Sequence, residues 1–443
     1  MNQKIIFFID FNENSGLGHL KRCLKLNDVL KAKDTTFVSD KVFYSKKVKS
    51  IKSNINKFIK SNSKNYDIAV IDSYNINFNQ QKKISIFSKK VIIIDDLCDR
   101  KFYCDYLINY NPLIDYKNYD GKISKRTTLL LGINYNFIVN SINTKNIKKV
   151  NNKYNILIYF GKKNRSKFIS NIISKFNNFE KKINKVLIFS NYNLNLKNIK
   201  YKIIKISDKN NISKHLKNSQ LCIISSGIII YEALGLKKII FSKPISKNQY
   251  PHYRYLIKNN YILSLKELKK INEKKLINFK QKINSKLKFK NSSLILKTIL
   301  HPIVDKNNNK INLEFYNSKY LQDLYSMQSK NYRLYYKNSS TFSFAKHKRY
   351  FKIVEKSENI KFLVMKINQK LIGYIKAEKV KNNSIISIAV IKKFQNLGIG
   401  SKVLKFLKQN NFFDGIPTAY INRKNYNSYK AFENAKIKNI KFF

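Results

Sequence analysis

Two short stretches of this sequence carry residue types at spacings that could do chemistry. The first is Gly16-Leu17-Gly18-His19-Leu20-Lys21-Arg22, which follows the apolar run KIIFFID (4–10) and opens a helical stretch. Glycines at a strand-to-helix turn let backbone approach a ligand closely, and the free amides of a helix start attract anions. A histidine in that first turn is placed to serve as a base near neutral pH. On spacing alone, a capping or structural histidine is as good a reading of Gly-x-Gly-His. The second stretch is Gln395-Asn396-Leu397-Gly398-Ile399-Gly400-Ser401, between the strand-like SIISIAVI (384–391) and the helical KVLKFLKQ (402–409). A Q-x-x-G-x-G loop in that setting offers backbone amides to a pyrophosphate.

The elements that must position these stretches fall into three blocks. Apolar runs KIIFFID (4–10), TTFVSD (35–40), DIAVID (67–72), VIIIDDL (91–97) and YLINY (106–110) alternate with helical stretches. Strands without in-and-out alternation, separated by helices, predict a parallel sheet covered on both faces, here a doubly wound α/β domain over 1–140. A polar stretch at 141–153 reads as a linker. The same grammar restarts with NILIYFG (155–161), KVLIFS (185–190), YKIIKIS (201–207), LCIISS (221–226) and KIIFS (238–242), giving a second α/β domain over 153–300. Ligands of such a pair belong at the carboxyl ends of the strands. HPIVDKNNNK (301–310) reads as a second linker, and the meander KFLVMKI (361–367), KLIGYIKAEKV (370–380) and SIISIAVI predicts an α+β domain over 311–443.

Composition narrows the class. The formal charge of +62 invites a nucleic-acid reading, because Lys and Arg neutralise phosphates. The lysines, however, are spread along the whole chain among Asn and Ile, with no nucleic-acid-binding motif beside them, so solvated surface is the better reading and no specific nucleic acid is expected. Cys23, Cys98, Cys104 and Cys222 form no CxxC pair, so no metal is expected and the thiols read as free in a reducing compartment. Asp10 interrupts the first apolar run after few residues, which argues against a signal peptide or membrane insertion and for a cytoplasmic location.

The run GLGHLKRCLKL, followed in order by Asp72 and Tyr74 in IDSYNI, IDDLCDR (94–100), CDYLINYNP (104–112), LLGINYNFI (130–138), SSGIIIYEALGLKK (225–238) and Asn248-Gln249, resembles the PseG/SpsG family of UDP-2,4-diacetamido-2,4,6-trideoxy-β-L-altropyranose hydrolases, over residues 1 to about 300. The resemblance implies a GT-B-like pair of domains, with UDP on the second and the sugar presented by the first to a general base, His19. Gly16, Gly18, Arg22, Asp72, Tyr74 and Gly161 are then expected to line the substrate, the Ser225-Ser226-Gly227 turn to meet the pyrophosphate, and Glu232, Asn248 and Gln249 to complete the nucleotide site. A solvated helix glutamate is the plain alternative for Glu232. One departure stands at Gly161-Lys162, where relatives carry a glycine pair. His215 and His301 read as structural or solvated; His252 could face the cleft, but a surface position is the simpler reading.

The Gln395–Ser401 loop, together with Asn425-Tyr-Asn-Ser428-Tyr-Lys-Ala-Phe432, resembles GNAT acetyltransferases. The resemblance implies acetyl-CoA as co-substrate, held by Gln395, Leu397, Gly398, Gly400, Ser401 and Asn425. Phe432 stands where many relatives carry the tyrosine that protonates the departing thiolate, which leaves Tyr429, one turn earlier, as the candidate acid. The strand before the loop has no glutamate to act as base; water or Glu378 would have to serve. Joined, the two resemblances imply acetylation of a UDP-4-amino sugar followed by hydrolysis of the UDP bond, on the way to pseudaminic or another nonulosonic acid of a surface glycan. A MurG-like glycosyltransferase, a hydrolase of a different nucleotide-linked amino sugar and a basic nucleic-acid-binding protein are the other readings.

Overall fold

The computed structural model describes residues 3–443 apart from 12–17, 33, 46–47, 141–152, 162–165, 190–192, 195, 198, 207–211, 271, 287–291, 330–342 and 358. Gly16, Leu17, Lys162 and nearly all of the first expected linker lie outside the described residues. The chain divides into two compact units, Met1–Phe289 and Lys290–Phe443.

The first unit contains two parallel sheets. One is built from β1 (Lys4–Ile9), β2 (Asp34–Ser39), β3 (Lys49–Lys52), β4 (Ile68–Asp72), β5 (Val91–Ile94), β6 (Tyr106–Asn109) and β7 (Thr128–Leu131), in the order β3-β2-β1-β4-β5-β6-β7. All its neighbours run parallel. The chain winds outward from β1 in one direction and from β4 in the other, so the strand order reverses between them and a crevice opens at their carboxyl ends. Asp10 follows β1 and Asp72 ends β4 at that point. The second sheet repeats the plan with β8 (Tyr154–Tyr159), β9 (Ile183–Phe189), β10 (Ile203–Ile206), β11 (Leu221–Ser225), β12 (Ile239–Lys243) and β13 (Leu263–Ser264), ordered β10-β9-β8-β11-β12-β13. Its reversal lies between β8 and β11, next to Gly161 and Ser225. Ile5–Phe8, Ile68–Ile71 and Leu221–Ile224 are buried almost completely, as strands covered on both faces must be. These are the two doubly wound parallel sheets expected.

The second unit is a mixed sheet in chain order: β14 (Ile303–Val304), β15 (Lys310–Phe315), β16 (Ile360–Ile367), β17 (Lys370–Val380), β18 (Asn383–Val390), β19 (Ile416–Ile421) and β20 (Asn439–Phe442). Pairs from β14 to β18 are antiparallel, and β18-β19-β20 are parallel. The meander is the one the alternation predicted; two boundaries differ. The helix Ser292–Leu300, expected to close the second α/β domain, belongs to this unit: Leu294, Leu296 and Ile299 are buried, and Lys297 Nζ donates to Asn410 Oδ1 at 3.1 Å. Residues 301–310 are no linker but contribute β14 and a tight turn to β15. The polar DKNNN run is the turn itself, closed by Asn308 at φ 60°, a left-handed conformation that asparagine tolerates.

Gly373 fixes the middle of this sheet. A Cβ there would stand 2.3 Å from the Ala389 carbonyl oxygen and 2.6 Å from Met365 Cε, beside an irregularity in β16 between Met365 and Lys366. Only glycine allows β17 and β18 to close at that point.

Candidate functional site

At the reversal point of the first sheet, Asp72 is wholly buried and collects three donors from one helix, Gly18–Leu30. His19 Nδ1 lies 2.7 Å from Asp72 Oδ1, Arg22 engages both carboxylate oxygens through Nε and Nη2, and Cys23 Sγ lies 3.4 Å from Oδ2. Positions 19, 22 and 23 share one face of a helix at a period of 3.6, which is why one carboxylate meets all three. Burial alone would raise the Asp72 carboxyl; the Arg22 guanidinium and His19 override it and hold the carboxyl well below its ordinary range. Burial likewise works against the Arg22 cation, and Asp72, Tyr110 and Asp96 outweigh it, so Arg22 is held charged. Nδ1 also lies 3.2 Å from Arg22 Nη2; in the tautomer whose Nδ1–H donates to Asp72, the His19 Nε2 lone pair is the one left to work.

The rim of the site extends the network. Arg22 Nη1 donates to Asp96 Oδ2 at 3.2 Å, and the Tyr74 hydroxyl donates to Asp96 Oδ1 at 2.7 Å. The Tyr74 ring stands edge-on to His19, 4.9 Å between centroids. Asp10 holds the turn after β4, accepting from Ser73 Oγ at 2.6 Å and from the Tyr74 amide at 2.7 Å, while Arg100 donates to the carbonyls of Ser73 and Tyr74. Asp96 and Tyr110 are functional candidates that sequence reasoning quoted only as parts of motifs. Nothing in their spacing tells Asp96, which faces Arg22, from Asp95, whose carboxylate is taken by the Tyr119 hydroxyl and the Leu97 and Cys98 amides.

The second half of the unit abuts this site. A Cβ on Gly18 would lie 3.5 Å from Ile228 Cδ1, so the starts of helices Gly18–Leu30 and Ile228–Gly235 stand side by side. Gly227 precedes the latter without a side-chain cap. Ser225 and Ser226 are buried; the Ser226 hydroxyl is turned to Ser242 at 2.8 Å, while Ser225 Oγ stays on the Gly227 side, 3.8 Å from a Cβ built there. Gln249 accepts from the Ile245 amide at 3.0 Å and reaches the Gly227 face, and Asn248 accepts from Ser246 Oγ at 2.7 Å. Glu232 is buried, not solvated, and accepts from Ser213 Oγ at 3.3 Å. Lys21, from the first half, feels its charge: burial lowers the Lys21 ammonium and Glu232 opposes that.

His252 is a correction. Expected at the surface, it is buried, with Nδ1 against the Tyr231 hydroxyl and the ring 6.0 Å from that of Tyr110, whose hydroxyl is hydrogen-bonded to Arg22. Burial depresses His252 to about 4, which keeps it neutral. The signal was its place two residues into the helix Tyr250–Lys258, where Pro251 and Tyr253 flank it without marking which face is inward.

In the second unit, β18 pairs with β19 only over Asn383–Ile386. Beyond Ile386 the β18 edge facing β19 carries no ladder, and the strand ends at the loop. Gln395 turns back so that Nε2 donates to the Val390 carbonyl at 2.9 Å. Asn396 and Gly398 take φ of 62° and 73°, which swings the chain into the helix Ile399–Gln409, whose first amides have no acceptor within the helix. Gly400 packs against the helix Tyr426–Asn434, 3.5 Å from Ala431 Cβ to a Cβ built on it, and Ser401 Oγ donates to the Gly398 carbonyl at 3.0 Å. Asn425 is the cap of that second helix, accepting from the Ser428 amide at 3.0 Å. An open strand edge followed by a glycine-bent helix start suits an extended thiol arm and its pyrophosphate.

The two residues weighed as acid and base are placed differently from expectation. Ala431 faces the loop, so Tyr429, two residues or about 200° back around the helix, faces away from it. Its ring meets Phe442 at 5.8 Å and its hydroxyl donates to Glu433 at 2.9 Å, a bond that raises the phenol. Phe432 is buried in the core. Glu378 sits opposite Ile385 at the closed end of the β17–β18 ladder and is bound by Lys376 at 3.0 Å. Among the described residues no group of three or more His, Cys, Asp or Glu is arranged to hold a metal, and no helix is long and apolar enough to cross a membrane.

Residues 321–433 match the acetyltransferase (GNAT) family. No curated protein matches the chain. Among solved structures, MurG of Acinetobacter baumannii is similar at 9% identity and a TM-score of 0.45, over 67% of this chain and 99% of that one. A putative UDP-N-acetylglucosamine 2-epimerase of Listeria monocytogenes is similar at 10% identity and a TM-score of 0.45, over 67% and 95%. Spermidine N-acetyltransferase of Vibrio cholerae, in complex with CoA and spermine, is similar at 11% identity and a TM-score of 0.26, over 28% and 79%. Likenesses of this size concern the path of the backbone and assign no substrate. Residues 321–433 thus form an acetyltransferase (GNAT) family domain, and the first unit carries two doubly wound α/β sheets.

Proposed function

We propose that the first unit hydrolyses the bond between UDP and a 2,4-diacetamido-2,4,6-trideoxy hexose, and that the acetyltransferase domain N-acetylates the 4-amino precursor of the same sugar nucleotide. The observation that carries the hydrolase reading is the pairing of His19 with a buried Asp72 at the sheet's reversal point, beside the start of the helix Ile228–Gly235. His19 Nε2 takes a proton from water as the water oxygen bonds to the anomeric carbon; the C–O bond to UDP breaks and UDP leaves with the electron pair. Asp72 orients the ring and stabilises the imidazolium that forms, while Arg22 keeps Asp72 ionised. The Ser225-Ser226-Gly227 backbone meets the diphosphate and Glu232 the ribose, in exchange for Ser213. In the second unit, acetyl-CoA lies along the open β18 edge with its pyrophosphate on Gln395–Ser401; the amine nitrogen attacks the thioester carbonyl, and the C–S bond breaks to release the CoA thiolate. Since Tyr429 faces away from the loop, the proton for that thiolate comes from solvent or from the nitrogen, which becomes cationic as it bonds to the acyl carbon.

Mass spectrometry of the full chain with UDP-4-amino sugars, with and without acetyl-CoA, tests both halves. Free sugar and UDP formed with no sugar acceptor present, and acetylation dependent on acetyl-CoA, are expected. Consumption of UDP-sugar only when an acceptor alcohol is added would instead make the first unit a glycosyltransferase.

A further inference from the structure

The turn between β14 and β15 lies outside the residues that match the acetyltransferase family, yet it reaches the Gln395–Ser401 loop. Asp305, 1% exposed, holds the turn: its carboxylate accepts from the amides of Asn307 and Asn309, each at 2.8 Å, and from Asn309 Nδ2 at 2.9 Å. Burial alone would raise this carboxyl, and the hydrogen bonds from Asn309 and Asn307, with Lys402 nearby, hold it low. The next residue is thereby aimed. The Lys306 amide donates to the Leu397 carbonyl at 3.0 Å, pinning the loop where it bends. Its side chain then runs along Gly398: a Cβ built on that glycine would stand 3.8 Å from Lys306 Cγ, 3.9 Å from Lys306 Cε and 3.8 Å from Lys402 Cε. Both lysines are exposed.

We infer that the Asp305–Asn309 turn is a working part of the thioester site, and that Lys306, together with Lys402, takes a phosphate group of a nucleotide-bearing acyl thioester. The inference rests on the acetyltransferase reading of this unit. A helix start supplies only about half a positive charge, whereas the pyrophosphate and 3′-phosphate of such a cofactor carry several negative ones. Lysine is a point-charge phosphate binder, and the pinned backbone of Lys306 sets its stem beside the bend, where a solvated lysine of this basic chain would be free to wander. Lys306 is thus both a positioning residue, through its amide, and a determinant of preference for phosphorylated carriers, through its ammonium.

The test compares the full chain with Lys306→Met, which keeps the amide and the stem, and with Lys379→Met, an exposed lysine on β17 that controls for net charge. Calorimetric Kd for CoA is expected to weaken about tenfold in Lys306→Met at low salt, with the difference shrinking as salt rises, and to stay within twofold in Lys379→Met. The KM for S-acetylpantetheine, which has no phosphate, should be equal in all three. A Kd for Lys306→Met within twofold of the wild-type value, or an equal rise in KM for the phosphate-free thioester, overturns the inference. If the unaltered chain binds no CoA, the acetyltransferase reading falls and takes this one with it; binding by the unaltered chain and equally by the variant removes this one alone.

Discussion

The two candidate sites are built from opposite materials. In the first unit the working groups are side chains: one buried carboxylate, Asp72, gathers His19, Arg22 and Cys23 from positions about 50 residues away, and Arg22 reaches on to Asp96, 74 residues distant. In the second unit the candidate groups are backbone amides of a few consecutive residues, at the bend made by Asn396 and Gly398. A side-chain site of this kind is rigid and costly to disturb, because each member is desolvated and leans on another. A backbone site tolerates changes at most side chains and fails where bulk or charge enters the space of the ligand.

Substitutions at three positions sharpen or break that contrast. The largest effect is expected for His19→Ala or His19→Asn, with UDP release slowed about 10² to 10⁴-fold and UDP affinity nearly unchanged; wild-type turnover would take His19 out of the mechanism. Next comes Asp72→Asn, which leaves Arg22 buried with its main partner neutral and should cost about 3 to 5 kcal/mol of stability in a denaturant titration. Its pH dependence has a definite sign. The folded Asp72 carboxyl lies below its unfolded value of about 3.9, so its stabilisation is present above that value and fades as pH falls through it and beyond. Asp72→Asn should therefore flatten acid destabilisation below about pH 4; an unchanged acid limb would mean that Asp72 is not the group that titrates. The smallest effect on folding belongs to the backbone site. Gly400→Ala fits, its Cβ in ordinary contact with Ala431 and Ile388 at 3.5 and 3.7 Å, and should stabilise the helix by about 0.5 to 1 kcal/mol. Gly400→Glu brings a negative charge and extra bulk against the same two neighbours in the loop proposed to meet the pyrophosphate, and should lose CoA binding together with some stability. Equal CoA affinity in the two variants would move the cofactor off this loop.

The same contrast explains what could be read from sequence. The Q-x-x-G-x-G loop is local, so its glycines, its flanking strand and its helix lie together in the text. The parallel sheets were legible because strands covered on both faces are apolar throughout. Of the first site, the helix face with His19 and Arg22 and the carboxylate Asp72 were found through motifs in series. The choice of Asp96 over its neighbour Asp95 depends on where Arg22 and Tyr119 come to lie, and the inward turn of His252 and the approach of Lys21 to Glu232 on how two sheets meet, neither of which spacing encodes. The 301–310 stretch misled for a different reason. Its apolar strand is two residues long and the rest is the polar turn that Asp305 closes, so a structured hairpin has the composition of a linker. Tyr429 misled because the period of a helix settles which residues share a face only once one of them is anchored, and Ala431 against Gly400 is the anchor.

Cys23 gives the buried network a chemical reporter. Its thiol has no exposure, and burial followed by the Asp72 charge pushes it well above the ordinary thiol range. Cys98, only half-buried, is raised to about 11, and burial lifts Cys104 and Cys222 as well. Alkylating reagents attack the thiolate, so at neutral pH Cys98 should label first and Cys23 only when the helix Gly18–Leu30 lifts away from Asp72. The rate at which Cys23 is modified therefore counts those openings. A nucleotide sugar seated at His19 should slow it, and Asp72→Asn should quicken it, which makes one thiol a clock for how often the first site comes apart.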